Sequence, residues 1–323
     1  MPRPRAVVAF AVAPLALLIA PVPKATGVLP GEFGVPPNLT SQLPACGACH
    51  SSNPNANGPV TMSLATTARV LAASETITVD ARVDGGPGLG LAGFALETDA
   101  GVFVAGINTR TQPGDGPAIT HVDKFGNTWT FKYQAPTTPG PVRFTGVGQS
   151  VNANNSTSGD SFGFFGPDSN VPGVPYILFV NGPHVHPIGS GCVGTDGHVP
   201  LLGARAPARV NVPFRTEVHA VAANRFVFGV LGSSTTSWNG VPLPLDLGFL
   251  GAPGCTVLVD QVLTLAGSSA GGGSGGGLAV FSWPIPNNPR LVGRSFFFQA
   301  FVQDAATPLG LTATNGLRAV IQP

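Results

Sequence analysis

Charge is scarce in this chain of 323 residues: Asp, Glu, Lys and Arg make up 10% of it, with 16 Lys+Arg against 15 Asp+Glu. No basic stripe interrupts that balance, which argues against nucleic acid and anionic lipid surfaces as partners. Two methionines, two tyrosines and three tryptophans leave little sulfur or amphipathic aromatic surface. Four cysteines are too few for a disulfide-dense scaffold. Past the first 25 residues no apolar run approaches the roughly 20 residues that a spanning helix needs. Long helical periodicity is absent. The six histidines and scattered acids offer no recognisable carboxylate pair or catalytic triad, so no substrate turnover is assigned.

Glycine (44) and proline (33) are abundant, yet 43% of the chain is hydrophobic, which is enough for a core and argues against disorder. The opening "MPRPRAVVAFAVAPLALLIAPVPKATG" reads as an export signal over residues 1–25. Arg3 and Arg5 form its charged start, Ala6 to Ala20 its apolar stretch, and small residues near Ala20 and Ala25 its cleavage points. Pro14 interrupts a run already short for an uncleaved anchor. Loss of Arg3 and Arg5 leaves 14 basic residues against 15 acidic ones. The ending "RAVIQP" holds no expected anchor or sorting tail. The mature chain is therefore expected to be exported, without a transmembrane span, and to be secreted, periplasmic or on a bacterial cell surface.

Residues 26–58 form a Pro/Gly/Asn-rich leader with no strand or helix period. Alternation then begins. "VTMSL" sets Val60, Met62 and Leu64 on one face, and "ETITVDARV" sets Ile77, Val79, Ala81 and Val83 on one face. "LAGFALETDAGVFVAG" reads as a hairpin turning at Asp99-Ala100-Gly101. "NTWTFKYQAP", "GPVRFTGVGQSV" and the fully apolar, central "PYILFV" complete a β-sandwich over residues 59–182. "NGPHVHPIGSGC" marks a boundary, and evenly spaced strands from "RVNVPFRTEVHAV" to "RSFFFQAFVQD" predict a second, jelly-roll-like sandwich over residues 183–323. Within it "GSSAGGGSGGG" reads as a flexible hairpin loop. The fold class is all-β.

The chemistry sits in "LPACGACHSSN". Cys46, Cys49 and His50 form C-x-x-C-H, the pattern of c-type haem attachment. Two thiols at this spacing can add to the two vinyl groups of one porphyrin, and the adjacent imidazole can bind the iron as proximal ligand. A thioredoxin-like pair would need a βαβ frame, and zinc would need more ligands than His50 alone. A plain Cys46–Cys49 disulfide clip stays open beside the haem. Cys192 and Cys255 both fall in the second half, where export favours a disulfide closing a loop of about 60 residues. Other motifs are weaker. Gly88-Leu89-Gly90-Leu91-Ala92-Gly93 fits G-x-G-x-x-G but precedes strand alternation rather than a helix. Gly272-Gly273-Ser274-Gly275-Gly276 fits G-x-S-x-G without a strand-to-helix frame. His184 and His186 lack a third metal ligand. Asp160 in "NANNSTSGD" is read as a loop residue rather than a calcium ligand.

From C-x-x-C-H to about residue 165 the chain resembles the choice-of-anchor V domain, an exported reeler-like β-sandwich. The likeness rests on Gly93 to Leu96, on His121 to Pro136 ("HV…TWTFKYQAP") and on Pro141 to Asp160. The second half is similar to C-terminal β domains of exported planctomycete-type proteins, through "LPLDLGFLGAPGC" and "NPRLVGRSFFFQAFVQD". Neither resemblance implies a catalytic activity. Together these features point to an exported protein with one covalent haem c, serving electron transfer or a redox-active surface assembly with a partner protein. A non-catalytic surface- or matrix-binding protein is the alternative, and a haem peroxidase a third reading. A closed haem needs a distal His or Met. Met62 alternates with core residues, whereas His121 lies in the same domain as the leader, at a position the family pattern shares, and is the candidate distal ligand.

Overall fold

The computed structural model describes residues 40–41, 53–88, 90–111, 116–123, 125–154 and 156–323. The first half carries eleven strands: β1 (Val60–Thr66), β2 (Val70–Leu71), β3 (Thr76–Gly85), β4 (Ala92–Thr98), β5 (Val102–Val104), β6 (Thr109–Thr111), β7 (Ala118–His121), β8 (Thr128–Gln134), β9 (Gly140–Ser150), β10 (Ser161–Phe164) and β11 (Tyr176–Val180). They form a sheet ordered β1-β3-β8-β5 facing a sheet ordered β2-β11-β9-β4-β7-β6, with β10 paired to β9. The alternation seen in sequence is what builds this sandwich. Ile77, Val79, Ala81 and Val83 of β3 all point into the core, as do Trp129, Phe131 and Tyr133 of β8. They meet Phe94, Leu96, Val142 and Phe144 from the opposite sheet. Met62 lies in the same core.

The second half carries β12 (Val185–Ile188), β13 (Leu201–Gly203), β14 (Phe214–Val221), β15 (Phe226–Gly232), β16 (Ser237–Trp238), β17 (Val241–Pro242), β18 (Leu245–Asp246), β19 (Thr256–Val257), β20 (Leu263–Ser268), β21 (Gly277–Trp283), β22 (Ser295–Gln303), β23 (Leu311–Ala313) and β24 (Gly316–Val320). The larger sheet runs β12-β24-β22-β15-β20 with β23 on β22, and it faces β13-β14-β21. Phe214, Phe281, Trp283 and Phe298 fill the space between them. The protein is thus all-β, with two β-sandwiches. Helical content among the described residues is limited to three-residue 3₁₀ turns, and no helix there is long and apolar enough to cross a membrane.

Two local expectations are corrected and a third is refined. Residues 99–101 do not close a hairpin: β4 pairs with β9 and β7, whereas β5 pairs with β8 in the other sheet. The turn is a corner between layers, and Tyr133 Oη donates to the Ala100 carbonyl to hold it. The Gly/Ser stretch does close as a local hairpin through the antiparallel Ala270–Leu278 bridge, but the strands beyond it part, β20 pairing with β15 and β21 with β14. His186 lies in β12, which pairs along β24, rather than in an irregular linker; His184 occupies the turn just before it, and both are exposed.

Strand β11 is apolar on both faces for a reason the topology supplies. Leu178 and Val180 join the first core, while Ile177 joins the core of the second half. Phe179 packs on His219, with ring centroids 5.4 Å apart, and lies where a side chain at Gly203 would project. Asn181 Oδ1 accepts the Ala204 amide at 3.0 Å, and Gly182 N–H donates to the Ala204 carbonyl at 2.8 Å.

Candidate functional site

Cys46, Cys49 and His50 lie outside the described residues. Their flanks do not, and both end on the same region of the first sandwich. Thr40 is fully buried; its amide donates to Glu97 Oε2 at 2.9 Å, its hydroxyl donates to the same carboxylate oxygen, and it lies 2.8 Å from Thr145 Oγ1. On the other side of the motif, the Asn55 amide donates to the Phe162 carbonyl at 2.8 Å, and Asn57 Nδ2 donates to the Asp160 carbonyl at 2.7 Å. Asn55 Oδ1 also accepts the Val60 amide, fixing the entry into β1.

These anchors mark out the outer face of β4, β9 and β10. Strand register pairs Gly93 with Gln149, Ala95 with Val147 and Glu97 with Thr145, and it pairs Phe162 with Gln149 and Phe164 with Val147. Residues opposite one another share a face. Here that face is turned away from Phe94 and Leu96, hence away from the core. Ala95, Val147, Phe162 and Phe164 form a separate buried apolar cluster on it. Gln149 is 9% exposed, and its Nε2 has no hydrogen-bond partner among the described residues. A buried donor left unpaired costs about 1–3 kcal/mol.

His121 ends β7 and is half-buried; it is the preceding residue, Thr120, that stands opposite Ala95. A Cβ placed on Gly93 would collide with its Cε1 and Nε2, so the ring needs glycine there. Its Nδ1 lies 3.0 Å from the Phe94 amide and 3.1 Å from the Phe94 carbonyl oxygen. Accepting the Phe94 amide at Nδ1 places the proton of a neutral ring on Nε2. Phe94 and Trp129 flank the ring at 6.4 and 6.1 Å between centroids.

Two observations bear on the C-x-x-C-H motif. Cys192 and Cys255 are joined in a disulfide across a separation of 63 residues, as expected from the sequence, so Cys46 and Cys49 have no other cysteine left to pair with. The described residues on either side of it, Thr40 and Asn55, are bonded to the first sandwich. The sequence singles out His121 and not Gln149. In "GVGQSV" it reads as an ordinary outward-facing polar residue, and only the strand register sets it beside Gly93 and Phe162.

Elsewhere, polar groups assemble in ways the sequence did not announce. Glu217 accepts from Arg205 Nε at 2.6 Å and lies 2.9 Å from His219 Nε2. Burial alone would raise its pKa, but the hydrogen bonds from His219 and Arg205, with the Arg205 charge, hold it at about 2. Ser274 of the G-x-S-x-G stretch sits 2.7 Å from His198 Nε2 and donates to Asp196 Oδ2 at 2.9 Å. Because the carboxylate takes the serine proton rather than orienting the imidazole, this is a loop clasp and not a triad. Burial lowers the His198 pKa. A cleft of about 870 Å³ lies between the glycine loop and the Pro/Gly-rich segment 167–177, with Val174, Ile177, Leu278 and Val280 among its apolar walls. Asp160 accepts the Asn152 amide, and Asn152 and Asn154 both bond to the Ser158 carbonyl, so much of this loop's polar capacity is spent internally. No group of three His, Cys, Asp or Glu suited to a metal ion occurs among the described residues.

No family model and no curated protein matches the chain. Among solved structures it is similar to a reeler domain fragment of human F-spondin, at 15% identity and a TM-score of 0.26, covering 37% of this chain and 92% of that one. It is also similar to FdeC, an Escherichia coli adhesin, at 10% identity and a TM-score of 0.21, covering 81% and 64%. A third likeness is to the type II cohesin dyad of the ScaA scaffoldin of Acetivibrio cellulolyticus, at 10% identity and a TM-score of 0.24, covering 81% and 85%. At these scores the likenesses carry no information on what the chain binds.

Proposed function

We propose that this is an exported c-type haem protein serving electron transfer or a redox-active periplasmic or surface assembly, and that its first half is a domain of the choice-of-anchor V type. The observation that carries the reading is the pairing of cysteines. With Cys192 and Cys255 bonded to each other, the two thiols of the C-x-x-C-H are left to a cofactor or to one another. Cys46 and Cys49 would hold the haem by thioether bonds, His50 would be the proximal ligand and His121 the distal one. The haem supplies one-electron chemistry when bound. The chain supplies orientation and burial. The Phe94 backbone holds His121, and Ala95, Val147, Phe162 and Phe164 form a buried apolar cluster on the face that Thr40 is bonded to. Exclusion of water and the identity of the axial ligands are the protein's means of setting the potential. No substrate is assigned. The two sandwiches are taken as domains of residues 59–182 and 183–323, behind a cleaved signal over 1–25.

A visible spectrum of protein from a host that matures cytochromes c tests this. It should show c-type absorption, and the colour should survive acid–acetone extraction. Cys46→Ser with Cys49→Ser should abolish both; colourless wild-type protein would overturn the reading.

The second reading is a non-catalytic binding protein in which Cys46 and Cys49 form a disulfide clip. The cleft of about 870 Å³ between the glycine loop and segment 167–177 favours it, being apolar and of ligand-binding size.

A further inference from the structure

We infer that the cleft between the glycine loop and segment 167–177 binds an uncharged, mainly hydrocarbon molecule whose hydroxyl donates a hydrogen bond to His219 Nδ1. This rests on the cleft of the second reading above and is independent of what Cys46 and Cys49 carry.

Two independent observations converge on it. The first is an imidazole with one nitrogen to spare. His219 lines the cleft yet is only 5% exposed. Its Nε2 lies 2.9 Å from Glu217 Oε2. That carboxylate is ionised at neutral pH and can only accept, so Nε2 carries the proton of the neutral ring and Nδ1 keeps the lone pair. Nδ1 has no hydrogen-bond partner among the described residues and is not sealed from solvent, so its open side is the cleft. The ring is also fixed in place. Phe179 packs against it at 5.4 Å between centroids, and Leu201 stands opposite it on the neighbouring strand. Buried polar groups are nearly always satisfied, and here a ligand's donor is what satisfies this one.

The second observation is the space itself. Its volume of about 870 Å³ falls within the roughly 300–1,000 Å³ of small-molecule sites. One wall, residues 270–277, offers backbone and almost no side chain to fill that volume. Ser274 pins this wall, 2.7 Å from His198 Nε2 and donating to Asp196 Oδ2 at 2.9 Å. Val174, Ile177, Leu278 and Val280 supply hydrocarbon surface, whose burial gives affinity without direction. Arg143 and Asp168 also line the cleft, but they are opposite in sign and already bonded, to Asp99 and Asn170. The lining therefore selects no ion. Direction comes from the His219 lone pair, which rewards an alcohol or phenol. A ketone, an ether or a carboxylate brings only acceptors and gains nothing there.

The test is equilibrium dialysis of the full chain against 2-naphthol and against 2-methoxynaphthalene, which shares the rings but lacks the O–H donor. Wild type should bind 2-naphthol more tightly by about two- to tenfold, the worth of one neutral hydrogen bond. His219→Phe keeps a ring on Phe179 and should erase that preference. Val280→Trp should abolish binding of both probes. Val280 lines the cleft and is 52% exposed, so the indole fills the space without repacking the core. Should His219→Phe fail to fold, the wild-type comparison and Val280→Trp decide. Equal affinity of the wild type for both probes, or a preference kept in His219→Phe, overturns the hydrogen bond and leaves an apolar cleft standing. No binding of either probe, or binding untouched by Val280→Trp, overturns the site. None of these results bears on the haem, which the visible spectrum tests separately.

Discussion

Gly93 and His121 share one space: the imidazole lies where a side chain on Gly93 would project, and its Nδ1 is within hydrogen-bond distance of both backbone polar atoms of Phe94. The strand is thus built around the ring. Gly93→Ala should either displace the imidazole or overpack the site, at a cost of about 1–3 kcal/mol. The urea midpoint should fall with an unchanged slope. A variant as stable as wild type, with Nδ1 still bonded to Phe94, would contradict the packing described.

His121→Ala separates a structural histidine from an iron ligand. With His121 distal, the wild-type haem is low-spin bis-histidine, and the variant turns high-spin and binds carbon monoxide. A low-spin spectrum retained in the variant would remove His121 from the iron while leaving its packing role intact.

Glu217 gives the fold a defined acid sensitivity. Its pKa falls from 4.5 to about 2 in the folded chain. The associated stability is therefore fully present above about pH 4.5 and is lost as pH falls through 2. Arg205 is half exposed, so solvent screening reduces its share, and His219 supplies the more buried contact. Glu217→Gln should lose about 1–3 kcal/mol at neutral pH. The difference from wild type should shrink toward zero as pH approaches 2. A difference independent of pH would assign the loss to shape rather than charge.

Replacing Cys192 and Cys255 by alanine should cost about 4 kcal/mol, the chain-entropy value for a loop of this length. Chemical unfolding with and without the bridge measures it. Both cysteines are buried beside Leu247, Ala252 and Ala313, so part of the loss is repacking, and the reduced wild-type protein isolates the covalent share.

Much of the sandwich was legible because period-two alternation is a local property. Val60, Met62 and the four inward residues of β3 were readable from spacing alone. The corner at Asp99-Ala100-Gly101 was not, since a turn into a neighbouring strand and a turn into the facing sheet use the same residues. The glycine-rich loop before β21 was legible as a hairpin, closed by Ala270 and Leu278, but the change of sheet beyond it was not. Apolar residues on both faces of β11 signalled burial but not by what; the answer lies in Phe179 meeting His219, 40 positions away in the chain. Likewise Gln149 becomes informative only when pairing places it beside Gly93. Contacts fixed by register between distant strands leave no trace in a local pattern.

The most direct test of the central claim is mass spectrometry of the Cys46–His50 peptide after reduction, from protein made in a host that matures cytochromes c. The account predicts one peptide that carries the full haem mass through both Cys46 and Cys49 and is resistant to the reductant. A peptide of unmodified mass, with the two cysteines linked to each other before reduction and free after it, would contradict the account and leave the disulfide clip.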